Sequence, residues 1–149
     1  GMDSFKPPFY MKLCEIPGFG KALFKTIGGK TLIKNCAGEM THTEQSEVDD
    51  FTRYFAMCAE YKGFIGSTFS SLINCTKETT EGYKSVNKQK IPMLVVWGTA
   101  DRTMPYYQID RMKEVCPNAE YVTFEGSGHA FVYDEGKRTA DAVLPFLKK

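Results

Sequence analysis

Asp101 and His129 are the two side chains whose types and setting could do chemistry together. Ile91, Met93, Leu94, Val95, Val96 and Trp97 precede Gly98 and Asp101, and Tyr121, Val122 and Phe124 precede Gly126, Ser127, Gly128 and His129. The first stretch is a near-continuous apolar run, the pattern of a strand covered on both faces, which points to a parallel sheet. The second alternates and reads as a short strand. Between them, Pro105 suits the first position of a helix, where its missing N–H would be unpaired anyway. Tyr106, Ile109, Met112 and Val115 then recur at spacings of three, so that helix lays one face on the sheet before Cys116 and Pro117 close it. Strand, helix and parallel strand thus deliver an aspartate and a histidine at neighbouring carboxyl ends, the edge of an open α/β sheet where sites form. A carboxylate bonded to one imidazole nitrogen fixes the tautomer and stabilises the cation formed when the other nitrogen takes a proton.

Each residue alone has a plainer reading. An aspartate just after a strand is commonly a turn former or helix cap, and a lone histidine is more often structural than catalytic. Placement separates the pair from that background. Of the two histidines, His42 and His129, one follows the expected strand in a Gly-rich loop, 28 positions beyond the aspartate. His42, in THTEQ, reads as a solvated loop residue before a helix.

Residues 89–149 resemble the C-terminal part of the α/β-hydrolase family: a hydrophobic strand ending in Trp97 and Gly98, then Asp101, a helix, and Gly126, Gly128 and His129. The resemblance implies that Asp101 is the acid that orients the histidine and that His129 is the general base serving a nucleophile. The closing helix fits the pattern, with Ala140, Val143, Leu144, Phe146 and Leu147 as its packing positions and Lys148 and Lys149 at its negative end. The alternative architecture, a response-regulator or other doubly wound fold, would need an acidic cluster near the chain start, and none is present there.

Length and composition set the frame for that motif. A chain of 149 residues can bury a core of its own, and 42% hydrophobic with 25% charged residues is ordinary for a globular protein. A net charge of +1 gives no case for a nucleic-acid surface. No apolar run reaches the roughly 18 residues of a spanning helix, and the first stretch lacks the apolar core of a signal peptide. Cysteines 14, 36, 58, 75 and 116 are widely spaced, odd in number and free of CxxC pairs, so they read as reduced thiols of a cytoplasmic protein without a metal site. Gly1 before Met2 reads as a tag-cleavage scar.

From Met2 to about Lys90 the pattern is helical. Tyr10–Ile16 is a short amphipathic piece, Phe19, Leu23, Phe24 and Ile27 line the next, and Leu32 and Ile33 make a further short apolar element. Thr41 or Thr43 can cap the following helix, in which Val48, Phe51, Phe55 and Cys58 face one side and Glu47, Asp49, Asp50 and Arg53 the other. After Gly63, Phe64, Ile65, Phe69, Leu72 and Ile73 form another helix, and a polar segment with Lys84, Lys88 and Lys90 leads to the first strand. This half, and the phrase EYKGFIGSTFSSLINC in particular, is similar to the helical cap of the carbon–carbon, ester and epoxide hydrolase branches of the same family.

The expected fold class is therefore α/β: the C-terminal portion of an α/β-hydrolase fold, a short parallel sheet with flanking helices preceded by an all-helical cap, with 2–88 as cap and 89–149 as core segment. The family's nucleophile sits on a GxSxG-like strand-to-helix turn, and the sequence contains none. Gly66 and Ser67 lie inside a helical pattern, and Ser127 belongs to the histidine loop. Two expectations follow. The chain is either part of a hydrolase acting on an ester, amide, epoxide or carbon–carbon bond of a small apolar substrate, with Phe51, Tyr54, Phe55, Phe64 and Phe69 lining the pocket, or a non-catalytic remnant serving as a binding or assembly module. Neither calls for a cofactor. In both, two strands expose a sheet edge that invites a partner, a second copy or a separate chain.

Overall fold

The computed structural model describes residues 16, 19–24, 26, 31, 34, 35, 37–74 and 79–149. Tyr10–Glu15, Ile27, Leu32, Ile33, Cys14, Cys36 and Cys75, all read above, lie outside the described residues. The elements run α1 (Phe19–Leu23), α2 (Gln45–Glu60), α3 (Phe64–Asn74), α4 (Thr80–Lys88), β1 (Leu94–Gly98), α5 (Gln108–Val115), β2 (Glu120–Phe124), α6 (Phe131–Asp134) and α7 (Gly136–Leu147).

They form two compact units. One holds residues 38–44 and 79–149 and contains both strands; the other holds residues 45–74 together with the described residues before 38. The helix α4, grouped with the cap in the sequence reading, belongs with the strands. Its Tyr83 packs on the core and accepts a hydrogen bond at its carbonyl from the Cys116 thiol, and Asn87 Oδ1 accepts the Asn118 N–H.

β1 and β2 are parallel, in register from Leu94 opposite Glu120 to Gly98 opposite Phe124. Trp97, Ile109, Met112, Val115 and Cys116 form the buried core between β1 and α5, with Met93, Val95 and Tyr121 packed around it. Burial of this kind is what the three-residue spacing in α5 provides. Tyr121 closes the far side, its hydroxyl shared between the carbonyls of Met112 and Cys116 at 3.0 and 2.9 Å, which caps the last turn of α5.

Three sequence expectations are corrected. The strand begins at Leu94 rather than Ile91: Ile91 is exposed, Lys90 takes a positive φ of 55°, and Leu94 to Val96 are only half-buried, as the sheet has two strands among the described residues. The helix begins at Gln108 rather than Pro105, because residues 102–107 are held as turns by the Trp97 indole N–H on the Met104 carbonyl and by Asp101. In α7, Leu144 and Leu147 are exposed instead of packed, and Pro145 lies within the helix.

The ladder also sets which edge is open. Glu120 N–H donates to the Met93 carbonyl and Thr99 N–H to the Phe124 carbonyl, each at 2.9 Å. Alternate residues of a parallel strand serve one side, so 93, 95, 97 and 99 face β2, and Leu94 and Val96 turn their backbone groups to an edge that carries no strand among the described residues.

Candidate functional site

The site forms where the loops after β1 and β2 meet. Gly98, the last residue of β1, makes the approach: a Cβ there would lie 2.2 Å from the Ser127 carbonyl oxygen, so only glycine lets the two loops close. Ala100 N–H donates to the same carbonyl at 2.9 Å, and Gly126 N–H donates to Thr99 Oγ1 at 2.8 Å. These bonds run directly between the aspartate loop and the histidine loop.

Asp101 is 6% exposed, and its two oxygens have different tasks. Oδ1 accepts the Met104 N–H at 2.6 Å, the turn-forming role expected of any aspartate here. Oδ2 lies 2.8 Å from His129 Nδ1. One oxygen thus makes the turn-forming bond and the other meets the imidazole.

His129 is half-exposed, with 48% of its side chain accessible, and Nε2 has no protein partner among the described residues. Its pKa is raised above 6.5: the hydrogen bond to Asp101 favours the imidazolium, burial opposes it, and the charges of Asp101 and Glu39 add to the rise. The imidazole borders a groove of about 470 Å³ along β1, lined by Leu94, Val96, Asp101, Met104, Phe131 and Val132 among others. A histidine held at Nδ1 by a buried carboxylate and open at Nε2 can take a proton from a hydroxyl or thiol brought to that groove, and later return it.

The remaining candidates fall elsewhere. In the helical unit Phe55 meets Phe51 in a tilted pair and Phe64 edge-to-face, with centroids 5.9 and 5.6 Å apart, Phe69 packs on Phe24 at 5.3 Å, and Tyr54 is 64% exposed. Ser127 is fully buried, with Oγ accepting from Arg138 at 3.2 Å, and the Cys116 thiol is buried and its pKa raised by burial. Ser67 donates to its own helix at the Phe64 carbonyl. None of these three hydroxyls and thiols is bonded to His129. Among the described residues no cluster of three or more His, Cys, Asp or Glu side chains could hold a metal ion, and no helix is long and apolar enough to cross a membrane.

The sequence reading missed Glu39 and Thr41 at this site. Thr41 does not cap α2; its Oγ1 accepts the Gly128 N–H at 2.9 Å. Glu39 lies under both loops, 8% exposed. The sequence holds one faint signal of this, a polar GEMTHT segment with no helical periodicity, but contacts across some 90 positions leave no local trace.

The sequence model of the alpha/beta hydrolase fold matches residues 35–136. The chain belongs to the α/β-hydrolase fold family. Similar curated proteins include monoacylglycerol lipase ABHD6 of Mus musculus, 23% identical over 87 residues (58% of this chain, 26% of that protein), and Lipase 1 of Psychrobacter immobilis, 32% identical over 71 residues (48% and 22%). The chain thus spans about a quarter of the length of these relatives. A crystal structure of bromoperoxidase from Bacillus anthracis superposes with a TM-score of 0.67 at 21% identity, covering 87% of this chain and 49% of that one. An alpha/beta hydrolase enzyme from a Medee basin deep-sea metagenome library gives a TM-score of 0.71 at 14% identity, covering 98% and 53%. These likenesses reach beyond the strands into the helical unit, so the α/β-hydrolase fold accounts for the chain as a parallel-sheet segment preceded by helices.

Proposed function

We propose that the chain carries the acid and the general base of a hydrolase centre for small apolar substrates, with the nucleophile contributed by polypeptide outside these 149 residues. The observation that carries this is the 2.8 Å contact of buried Asp101 with His129 Nδ1, beside a groove that leaves Nε2 approachable. Nε2 would remove the proton from an attacking hydroxyl, Asp101 would stabilise the imidazolium, and the proton would pass to the leaving group. Ester, amide, epoxide and carbon–carbon bonds all fit such a centre. The names of the two lipase relatives favour a carboxylic ester. This chemistry calls on no cofactor, and the free thiols of Cys58 and Cys116 agree with a cytoplasmic setting.

The open edge of β1 supports a second element of the reading: a further strand, from a second copy or a separate chain, pairs with Leu94 and Val96 and completes the sheet. Light scattering at micromolar concentration checks it, and a monomeric mass would count against it.

The test of the function is hydrolysis of a short-chain nitrophenyl ester by the 149-residue chain, by His129→Ala, and by Ser67→Ala, Ser127→Ala and Cys116→Ala. The expected result is no turnover that depends on both His129 and one of those three. Turnover lost in His129→Ala and in a single Ser or Cys variant would place the nucleophile within the chain. If the coding sequence upstream of Met2 proves to encode a GxSxG-like turn, the joined polypeptide should hydrolyse the ester in a His129-dependent way. Failure of that joined polypeptide would favour the non-catalytic binding module.

A further inference from the structure

We propose that Glu39 is the positioning residue of the Asp101–His129 pair, its buried carboxylate tying the aspartate loop and the histidine loop to one anchor. The proposal rests on the hydrolase reading for its purpose but not for its test. Glu39 Oε2 accepts the backbone N–H of Arg102 and the backbone N–H of His129, each at 3.3 Å. One oxygen therefore holds the residue after the acid and the base itself. Oε1 accepts the Thr103 hydroxyl at 3.1 Å and lies 3.8 Å from Arg102 Nε.

Every group aimed at this carboxylate is a donor, which an acceptor-only side chain satisfies and an amide cannot satisfy on both ends. Burying a carboxylate costs several kcal/mol unless its lone pairs are met. Here they are met by donors that come almost wholly from the two site loops, so the charge is held where those loops must stay in register. Loss of the side chain would remove the one acceptor that the Arg102 and His129 N–H groups share.

The main chain of the same segment is clamped as well. The Glu39 carbonyl accepts the Ala130 N–H at 3.3 Å, and a Cβ on Gly128 would sit 2.2 Å from that carbonyl oxygen, so the histidine loop lies directly on residue 39. Arg102 Nη2 donates to the Gly38 carbonyl, and Asp134 Oδ2 accepts the N–H groups of Thr41 and His42 at 2.7 and 3.2 Å. Residues 38–42 cannot drift without moving both loops. The charged groups that face the imidazole are Asp101 and Glu39, with the Arg102 guanidinium on the outer side of Glu39.

The experiment follows the His129 imidazole by NMR in the full chain labelled at histidine, with His42→Asn assigning the only other imidazole. Glu39→Gln should keep the fold, shift the His129 titration midpoint downward and weaken the low-field Nδ1 proton; Glu39→Ala should abolish that proton. A role confined to stability would lower the unfolding midpoint and leave the His129 titration where it was. An unchanged midpoint and an intact Nδ1 proton in folded Glu39→Gln would overturn the proposal. If Glu39→Gln does not fold, Glu39→Asp decides: the charge is kept but the shorter side chain cannot reach both loop amides, so the Nδ1 proton should weaken, and an unchanged Nδ1 proton would overturn the proposal. These readouts need no turnover, so failure of the ester assay would sink the hydrolase reading and leave this one to be judged on its own data.

Discussion

The strand-bearing unit and the helical unit are organised on different principles. In the first, buried polar residues do much of the fixing: Glu39 and Asp101 bond across loops through their carboxylates, and Ser127 bonds through its carbonyl to Ala100 N–H and through its hydroxyl to Arg138 of α7. In the second, the 16-residue helix α2 has no buried residue at all, and its aromatic contacts are among half-exposed rings. Amphipathicity is clear in both, but among the described residues only the first unit converts it into a tight core with a directional network on top. Apolar burial is non-directional, whereas hydrogen bonds in a buried setting specify one arrangement. The contact of one imidazole with one carboxylate lies in the hydrogen-bonded, strand-bearing unit.

The contrast can be broken most severely at the core. Ile109→Ala, at a residue 3% exposed, should destabilise the strand-bearing unit by about 2–5 kcal/mol. Trp97 is the only tryptophan and lies in that core, so its fluorescence in urea reports this unit selectively. A loss below about 1 kcal/mol would mean that the core is looser than its burial indicates.

Gly98→Ala comes next. Its new Cβ would meet backbone rather than a flexible side-chain end, so the loops must part, at a cost of about 1–3 kcal/mol. The low-field Nδ1 proton of His129 should vanish in the same variant; its survival would show that the two loops are not coupled through this approach.

Asp101→Asn leaves an oxygen for the Met104 N–H and removes the charge beside His129. Stability should fall by about 1–2 kcal/mol, and the His129 titration should move down. The sign follows from the raised pKa of His129 in the folded protein. The stability contributed by the charged pair is fully present below 6.5 and is lost as pH rises through the raised folded value. Proton-accepting capacity grows over the same window, so any His129-dependent hydrolysis should rise on its acid limb above 6.5 in the wild type and at lower pH in Asp101→Asn. A limb in the same place for both would contradict this.

The smallest effect sharpens the comparison from the other side. Tyr54→Ala, at an exposed ring of α2, should change stability by no more than about 0.5 kcal/mol as measured by circular dichroism in urea. A loss of several kcal/mol would show that this face of the helical unit is covered by something.

Much of the architecture was legible along the chain because it depends on local periodicity. The helix ending at Asn74, the strand ending at Gly98, the spacing of Ile109, Met112 and Val115 and the loop before His129 each leave a pattern within a dozen residues. Asp101 and His129 could be paired because they follow two parallel strands, a relation that strand order alone implies. The boundaries of β1 and α5 were less legible, since Ile91 and Pro105 carry the right local chemistry and are overruled by the turn that Asp101 and Trp97 impose.

What the sequence determined by itself is the series of elements and the placing of Asp101 and His129 after two parallel strands, because side-chain type and spacing act within one strand or helix. What only the tertiary structure decided is how that pair is held. Glu39 lies 62 positions before Asp101 and 90 before His129. No periodicity connects residues so far apart, and nothing marks a glutamate in GEMTHT as the acceptor for two distant amides. Its role depends on three loops meeting in one place, and a contact of that kind exists only once the chain has closed on itself.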